Sequence, residues 1–301
     1  MKYSGIGGQA VMEGVMMKNR NKYAVAVRKP DNQIVVETKE YQGVTKNQSI
    51  KKLPILRGIF NFIESLVLGM KTLTFSASFF EEDETEELTQ KEKKKEDAAM
   101  GGMVALSVLL AVGIFMALPY GISLLFRRFI SSTLLLALIE GVIRLAVFIG
   151  YVAGISLMPD IRRVYMYHGA EHKCINCIEN GMELTVENVR KSSRLHKRCG
   201  TSFLLIVMIV SIVFFMFIQV DSRILRLLLR ILLIPVIAGI SYEFIRLAGR
   251  SDNLIVNLLS KPGMWLQKLT TKEPEDAMIE VGIASVEAVF DWRAYLEEMR
   301  V

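Results

Sequence analysis

Four stretches of this chain are too long and too apolar to be ordinary surface or core segments, and they constrain the fold before anything else. Within residues 100–126 the run GGMVALSVLLAVGIFMALPYGISLLF carries no charge, and within 202–220 neither does FLLIVMIVSIVFFMFIQV. Residues 130–159 are apolar apart from Glu140 and Arg144, and residues 224–247 are interrupted by Arg226, Arg230, Pro235, Glu243 and Arg246. Roughly 20 apolar residues in a helix cross the hydrocarbon core of a bilayer, so four transmembrane helices are expected. Overall composition agrees, with 51% hydrophobic residues against 23% charged. The start, MKYSGIGGQAVMEG, lacks the continuous apolar run of a secretory signal, so the residues before the first span are expected to fold on one side of the membrane.

Lys and Arg near span ends set orientation. The segment before the first span carries Lys91, Lys93, Lys94 and Lys95. The connection between the second and third spans carries Arg162, Arg163, Lys173, Arg190, Lys191, Arg194, Lys197 and Arg198, and the tail adds Arg246, Arg250, Lys261 and Lys268. The opposite turns hold only Arg127 with Arg128 and Arg223 with Arg226. Both termini and the 160–200 connection are therefore expected on the cytoplasmic side of the membrane. The net charge of +6 then reads as an orientation signal and an attraction to anionic lipid. No aromatic–basic interleaving points to sequence-specific nucleic-acid binding.

The fold class that follows is mainly α and integral to the membrane, with a small β-hairpin-containing cytoplasmic region at the N-terminus and cytoplasmic helices at the C-terminus. The expected organisation is a Gly-rich and hairpin region (1–52), an amphipathic interfacial helix (53–80), a charged linker (81–99), spans at 100–126 and 130–159, a His/Cys loop (160–200), spans at 202–220 and 224–247, and C-terminal helices (248–301). AVAVRKPDNQIVVET alternates around a Lys-Pro-Asp-Asn turn, which predicts strands at 23–28 and 33–38. GIGGQAVMEGVMMKNR reads as a Gly-containing turn leading into a strand. Gly7, Gly8 and Glu13 are its candidate functional positions, and it fits neither a dinucleotide fingerprint nor a P-loop. In 53–80, Arg57, Glu64 and Lys71 recur every seven residues and share one stripe of a helix. Glu140 and Arg144 lie one helical turn apart and can pair, either as a structural pair or as part of a polar pocket. In the tail, Trp265 suits an interface anchor. Thr271 is the expected cap of a final helix with Glu273 and Pro274 in its first turns, packing on the hairpin or on the His/Cys loop.

Function concentrates in that loop. All three histidines and all three cysteines lie between His168 and Cys199. A cytoplasmic location makes disulfides unlikely partners for these thiols. His168-Gly-Ala-Glu171-His172 has the form H-x-x-E-H, which places both imidazoles on one helix face with a carboxylate beside the second. With a divalent metal such as zinc, Glu171 would be the general base for water. His196, Cys199, Glu179, Glu183 and Glu187 are the available third ligands. A second code overlaps the first: Cys174-x2-Cys177 followed by His196-x2-Cys199 has the spacing of a structural zinc site.

GGQAVMEGVMMK, HGAEHK, LHKRCGTSF and TTKEPEDAMIEVGIASVEAV, in this order, resemble the DUF1385 family of bacterial and plastid membrane proteins. The resemblance covers nearly the whole chain. It implies a multi-span membrane protein with metal-dependent enzymatic chemistry, carried by His168, Glu171, His172, His196 and Cys199, with Gly8, Gln9, Glu13 and Gly14 in the first motif. Cys177 also fits the family pattern, whereas Cys174 is an extra in this sequence. Three readings stay open. The first is a metal-dependent hydrolase or peptidase. The second is a non-enzymatic factor whose zinc loop is a staple and whose basic faces bind the insertion or translation machinery. The third is a transporter component built on Glu140 and Arg144, for which no inverted repeat is seen.

Overall fold

The computed structural model describes residues 3–41, 43, 53–80, 90–218, 220, 222–249, 251 and 253–300. The acidic start of the 81–99 linker lies outside the described residues. The chain divides into two compact units, Met1–Phe80 with Val152–Val207 and Leu233–Val301, and Glu81–Tyr151 with Met208–Leu232.

The first unit is built on a four-stranded antiparallel meander, β1 (Ile6–Val11), β2 (Gly14–Asn19), β3 (Lys22–Arg28) and β4 (Ile34–Glu40), in the order β1-β2-β3-β4. The expected hairpin is β3–β4, one residue longer at the start and two at the end. The Gly-rich segment ahead of it forms two further strands rather than a turn and one strand. Two-residue turns at Met12-Glu13 and Arg20-Asn21 fix the register, pairing Val11 with Gly14 and Asn19 with Lys22. Glu13 and Arg20 take positive φ there, at 47° and 53°, which non-glycine residues seldom adopt.

Because side chains alternate across a strand, β2 and β3 bury both faces. Val15, Met17 and Ala26 point into a core with Tyr167, Ala170, Ile175 and Ile178 of helix α5 (Pro159–Glu179) and with Met278, Ile279 and Val281 of α10 (Asp276–Glu287). Met16, Tyr23, Val25 and Val27 face the other way, onto Leu68 and Phe75 of α1 (Leu56–Ala77). The sheet is thus a middle layer between α1 and the α5/α10 pair, so α10 packs on both the strands and the His/Cys segment. That helix starts later than the sequence suggests. Thr271 instead closes α9 (Leu254–Thr270), and Glu275 is the N-terminal boundary of α10. The reason is that Lys272 donates its N–H to the Tyr165 carbonyl at 2.8 Å, so the segment through Pro274 runs along α5 before a helix can begin.

The buried positions of α1 are Gly58, Glu64, Leu68, Thr72 and Ser76, a stripe of mostly small and polar residues, while Leu66, Val67, Met70 and Leu73 are exposed. Gly58 lets the helix approach α8 (Arg223–Ala248) at Gly239, where an added Cβ would meet the Gly239 carbonyl at 2.8 Å. Small residues permit this kind of close helix crossing. Arg57 grips the Glu243 carboxylate with two donors beside that crossing.

Among the described residues, four helical segments are long and apolar enough to cross a membrane: Gly101–Phe126, Thr133–Ile155, Gly200–Phe217 and Ile224–Ala248. Between 6% and 28% of each apolar window is buried inside the protein, so most of this surface needs lipid rather than protein as its solvent. Gly101–Phe126 comprises the end of α2 (Gln90–Val112), a π-helical turn at Gly113–Ala117 and α3 (Leu118–Phe126). The π turn lies directly ahead of Pro119, whose ring cannot donate and would crowd the preceding turn of a regular helix. The second unit also holds a buried ionic cluster. Glu140, on α4 (Thr133–Ile155), accepts from Arg144 at 2.6 Å and from two nitrogens of Arg230 at 2.6 and 2.9 Å. Arg144 reaches Ser211 at 3.3 Å. The expected pair is therefore a triad, because the interrupting Arg230 on α8 turns inward onto the same carboxylate.

Candidate metal centre

The site is assembled from α5 and from the ends of two other elements of the first unit. His168 and His172 occupy successive turns of α5 with ring centroids 4.4 Å apart. Cys199 precedes the first residue of α7 (Gly200–Phe217) and accepts the Thr201 N–H at 3.4 Å. The partial positive charge at that helix N-terminus favours a thiolate.

Each imidazole is oriented by a backbone carbonyl. His168 Nδ1 donates to Thr270 O at 2.9 Å and His172 Nδ1 donates to Arg194 O at 2.6 Å. With Nδ1 of each ring turned to a carbonyl, Nε2 is the nitrogen left for a ligand, and His168 Nε2 lies 3.2 Å from Cys199 Sγ. The ligating atoms of His168, His172 and Cys199 all fall within 4.8 Å of one another, so this buried group can hold a metal ion. Carbonyl-oriented histidines with inward lone pairs are the usual support of such a centre.

Electrostatics agree with a thiolate site. Burial alone would raise the Cys199 thiol, yet His168 and His172 beside it carry it well below its ordinary value. Burial opposes charge on His168, but the Cys199 sulfur and Glu171 take its pKa up to about 9. The two shifts are coupled, each group favouring the charged form of the other across 3.2 Å. Glu171 lies with its Oε2 3.8 Å from His168 Nε2. Burial raises its pKa, offset in part by His172, His168 and the Gly8 amide that donates to it. Gly8 is required for that approach, since a Cβ there would meet Met16 O at 2.6 Å and Glu171 Cγ at 2.9 Å. A cavity of about 90 Å³ is lined by Gly7, Gly8, His168, Glu171, His172 and Cys199 among others.

The remaining candidates lie elsewhere. The Cys177 thiol donates to the Glu183 carbonyl at 3.3 Å, and burial raises its pKa to about 11. Cys174 is fully buried against Gly282. His196 has its ring near His172, with centroids 5.7 Å apart. Its Nε2, however, lies 3.5 Å from Glu179, and its backbone N–H donates to Gln267 Oε1 at 2.8 Å. Glu179 is occupied by Arg198 at 2.5 Å and by Ser4, and Glu187 by Lys191 at 2.6 Å. Among the described residues the Cys174/Cys177/His196/Cys199 set does not converge on one point. Glu13 pairs with Arg163 at 2.5 and 2.6 Å and accepts from Tyr167 at 3.2 Å. Gln9 donates to the Ser65 carbonyl at 3.4 Å. Glu140 and Arg144 belong to the other unit. The orienting carbonyls of Thr270 and Arg194 have no signature in the sequence. Gly169 does have one, inside HGAEH: a Cβ there would meet Lys272 O at 2.0 Å, so only glycine lets the 270–274 segment lie on α5.

Residues 53–292 match the model of the DUF1385 family, described as a protein of unknown function. The chain is 40% identical over 299 residues to the uncharacterized protein YqhQ of Bacillus subtilis (strain 168), covering 97% of this chain and 94% of that protein. No solved structure matches it. With a family model covering most of the chain and a relative matched almost end to end, this membrane protein belongs to the DUF1385 family.

Proposed function

We propose that the protein is a membrane-bound, metal-dependent hydrolase, of which a peptidase is one form, with its centre facing the cytoplasm of a bacterial cell and zinc as its metal. The observation that carries this reading is the convergence of one ligating atom each from His168, His172 and Cys199, with the Glu171 carboxylate 3.8 Å from His168 beside them. Two imidazoles and one thiolate suit a borderline-soft ion, and three protein ligands leave a position for substrate. Cytoplasmic placement rests on the Lys and Arg of 160–200 and of the tail.

When bound, such a metal supplies Lewis-acid chemistry, polarising a carbonyl or acidifying water. The chain's own part is to hold and move the proton. Glu171, kept in place by the Gly8 amide and raised by burial, takes a proton from attacking water and returns it to the leaving group. Thr270 and Arg194 keep both Nδ1 protons outward, so the histidines do not compete for it. His196 and Cys177 support the fold around the centre through Glu179, Gln267 and the Glu183 carbonyl. The exposed apolar face of α1 fits a helix lying on the bilayer surface.

Glu171→Gln is the direct test of hydrolysis. It is expected to keep the metal content and thermal stability of the wild type while failing to rescue a host deleted for its own copy. Full rescue by a metal-loaded Glu171→Gln protein would remove the hydrolase reading. A second expectation concerns pH. Metal must displace the proton that the Cys199 sulfur and Glu171 help His168 to hold, while the same pairing eases the loss of the Cys199 proton. Below about 9 the apparent metal affinity should therefore rise with pH, as binding releases protons from the ligands. Calorimetry in buffers of different ionisation enthalpy measures the protons released, and a metal affinity that does not change with pH below about 9 would contradict this expectation.

A further inference from the structure

Beside the candidate metal centre lies a larger cavity, about 500 Å³, whose wall includes Tyr3, Ile6, Gly7, Gly8, Lys18, Arg20, Arg198 and Arg246. Ile6, Gly7, Gly8 and Arg198 also line the small cavity at the metal ligands, so the two share the β1 backbone and one guanidinium. The volume is that of a small-molecule site. Its charge is one-sided, with four cations and no carboxylate among the described residues that line it.

Two of these cations are set in place by groups outside the cavity. Arg198 is held by Glu179 at 2.5 Å and lies 4.2 Å over the Tyr3 ring. Glu243, 3.9 Å from Arg246, is already gripped by both donors of Arg57, so it neutralises Arg246 only in part. Lys18 lies 4.6 Å over the Tyr41 ring, and Arg20 is exposed at the β2–β3 turn. Guanidinium and ammonium groups converging on one cavity recognise a multiply charged oxyanion. The lining also includes Leu68 of α1 and Tyr242 and Ile245 in the last turns of an apolar span, so an acyl or other apolar substituent can lie beside the charge.

We propose that this cavity binds a phosphate-bearing ligand and presents it to the metal centre, which makes the substrate class a phosphate-bearing amphiphile or phosphoester. The inference rests on the hydrolase reading only for the ligand's role as substrate; binding itself does not depend on it.

The test uses the full chain in a neutral detergent and calorimetry with three probes: dihexanoylphosphatidic acid, dihexanoylphosphatidylcholine and inorganic phosphate. The phosphatidic acid should bind at least about tenfold tighter than the zwitterionic lipid, since one charged hydrogen bond is worth that much. Raised ionic strength should weaken it. Arg20→Gln and Arg246→Gln should each weaken it by about tenfold without changing metal content. Inorganic phosphate that competes on equal terms identifies a soluble phosphoester as the source, and phosphate that fails to compete identifies a lipid headgroup. Phosphatidic acid that binds no tighter than phosphatidylcholine, or whose binding ignores both salt and the two substitutions, overturns the proposal. The wild-type salt dependence keeps the test decisive even if a variant misfolds. Repeating it on chelator-treated protein separates the two claims. Selective binding by protein that never holds metal sinks the centre and leaves the cavity, whereas metal-loaded protein without selectivity sinks the cavity alone.

Discussion

Alanine at His168 or Cys199 is expected to strip the protein of its metal, while alanine at Cys174 or Cys177 leaves the metal in place. Each of the first two changes removes a ligating atom from a group whose members lie within 4.8 Å of one another. The loss of affinity should exceed the roughly 10–100-fold that follows when only an orienting partner of a ligand is removed. Cys177 spends its thiol on the Glu183 carbonyl and Cys174 is packed against Gly282, so their substitution should cost stability rather than metal. Elemental analysis of protein purified without chelators, set beside the melting temperature of each variant, separates the two effects. Metal lost from Cys177→Ala with the fold intact would revive the structural staple of three thiolates and one imidazole.

The second large effect is expected at Gly169, which no ligand list would include. An added methyl would meet Lys272 O at 2.0 Å, and a backbone atom cannot swing aside as a long side chain can. Gly169→Ala should therefore push the 270–274 segment off α5, at about 1–3 kcal/mol of stability by analogy with other overpacked sites. Thr270 O, which fixes the His168 tautomer, moves with that segment, so metal affinity should fall by about 10–100-fold as well. Gly150→Ala is the matched control, because nothing lies within 4 Å of a Cβ there. It should leave metal affinity unchanged. Equal metal affinity in Gly169→Ala and Gly150→Ala would show that docking of the tail does not organise the centre.

What could be read in the linear sequence follows the range of the physics involved. The four spans are local properties of hydropathy, and all four are present. The H-x-x-E-H pattern is also local, because helical periodicity alone puts His168 and His172 on one face. The β3–β4 hairpin showed as alternation, whereas β1 and β2 did not. β2 and β3 both bury two faces, but β3 runs into the Lys-Pro-Asp-Asn turn that marks its hairpin, whereas the glycines of β1 and β2 look like a turn until their packing is known. The choice between His196 and Cys199 was not legible. Both sit in one H-x2-C pair, and only the docking of α9 through Gln267, with Glu179 and Arg198 alongside, turns His196 toward Glu179 and leaves Cys199 by His168. Arg230 likewise stood in the sequence as an interruption of an apolar run. Its pairing with Glu140 spans 90 residues of sequence, beyond the reach of any local pattern.

The central claim is that two imidazoles and one thiolate of this chain close on a single metal ion. Titrating the full, chelator-treated chain with Co²⁺ tests it most directly, because thiolate-to-cobalt charge transfer and the visible bands of a tetrahedral ion report sulfur ligation and geometry together. The expected result is one equivalent of cobalt in a tetrahedral site, with charge transfer from a single thiolate that disappears in Cys199→Ala and persists in Cys177→Ala. A wild-type protein that binds no cobalt, or that binds it without any thiolate band, would contradict the account.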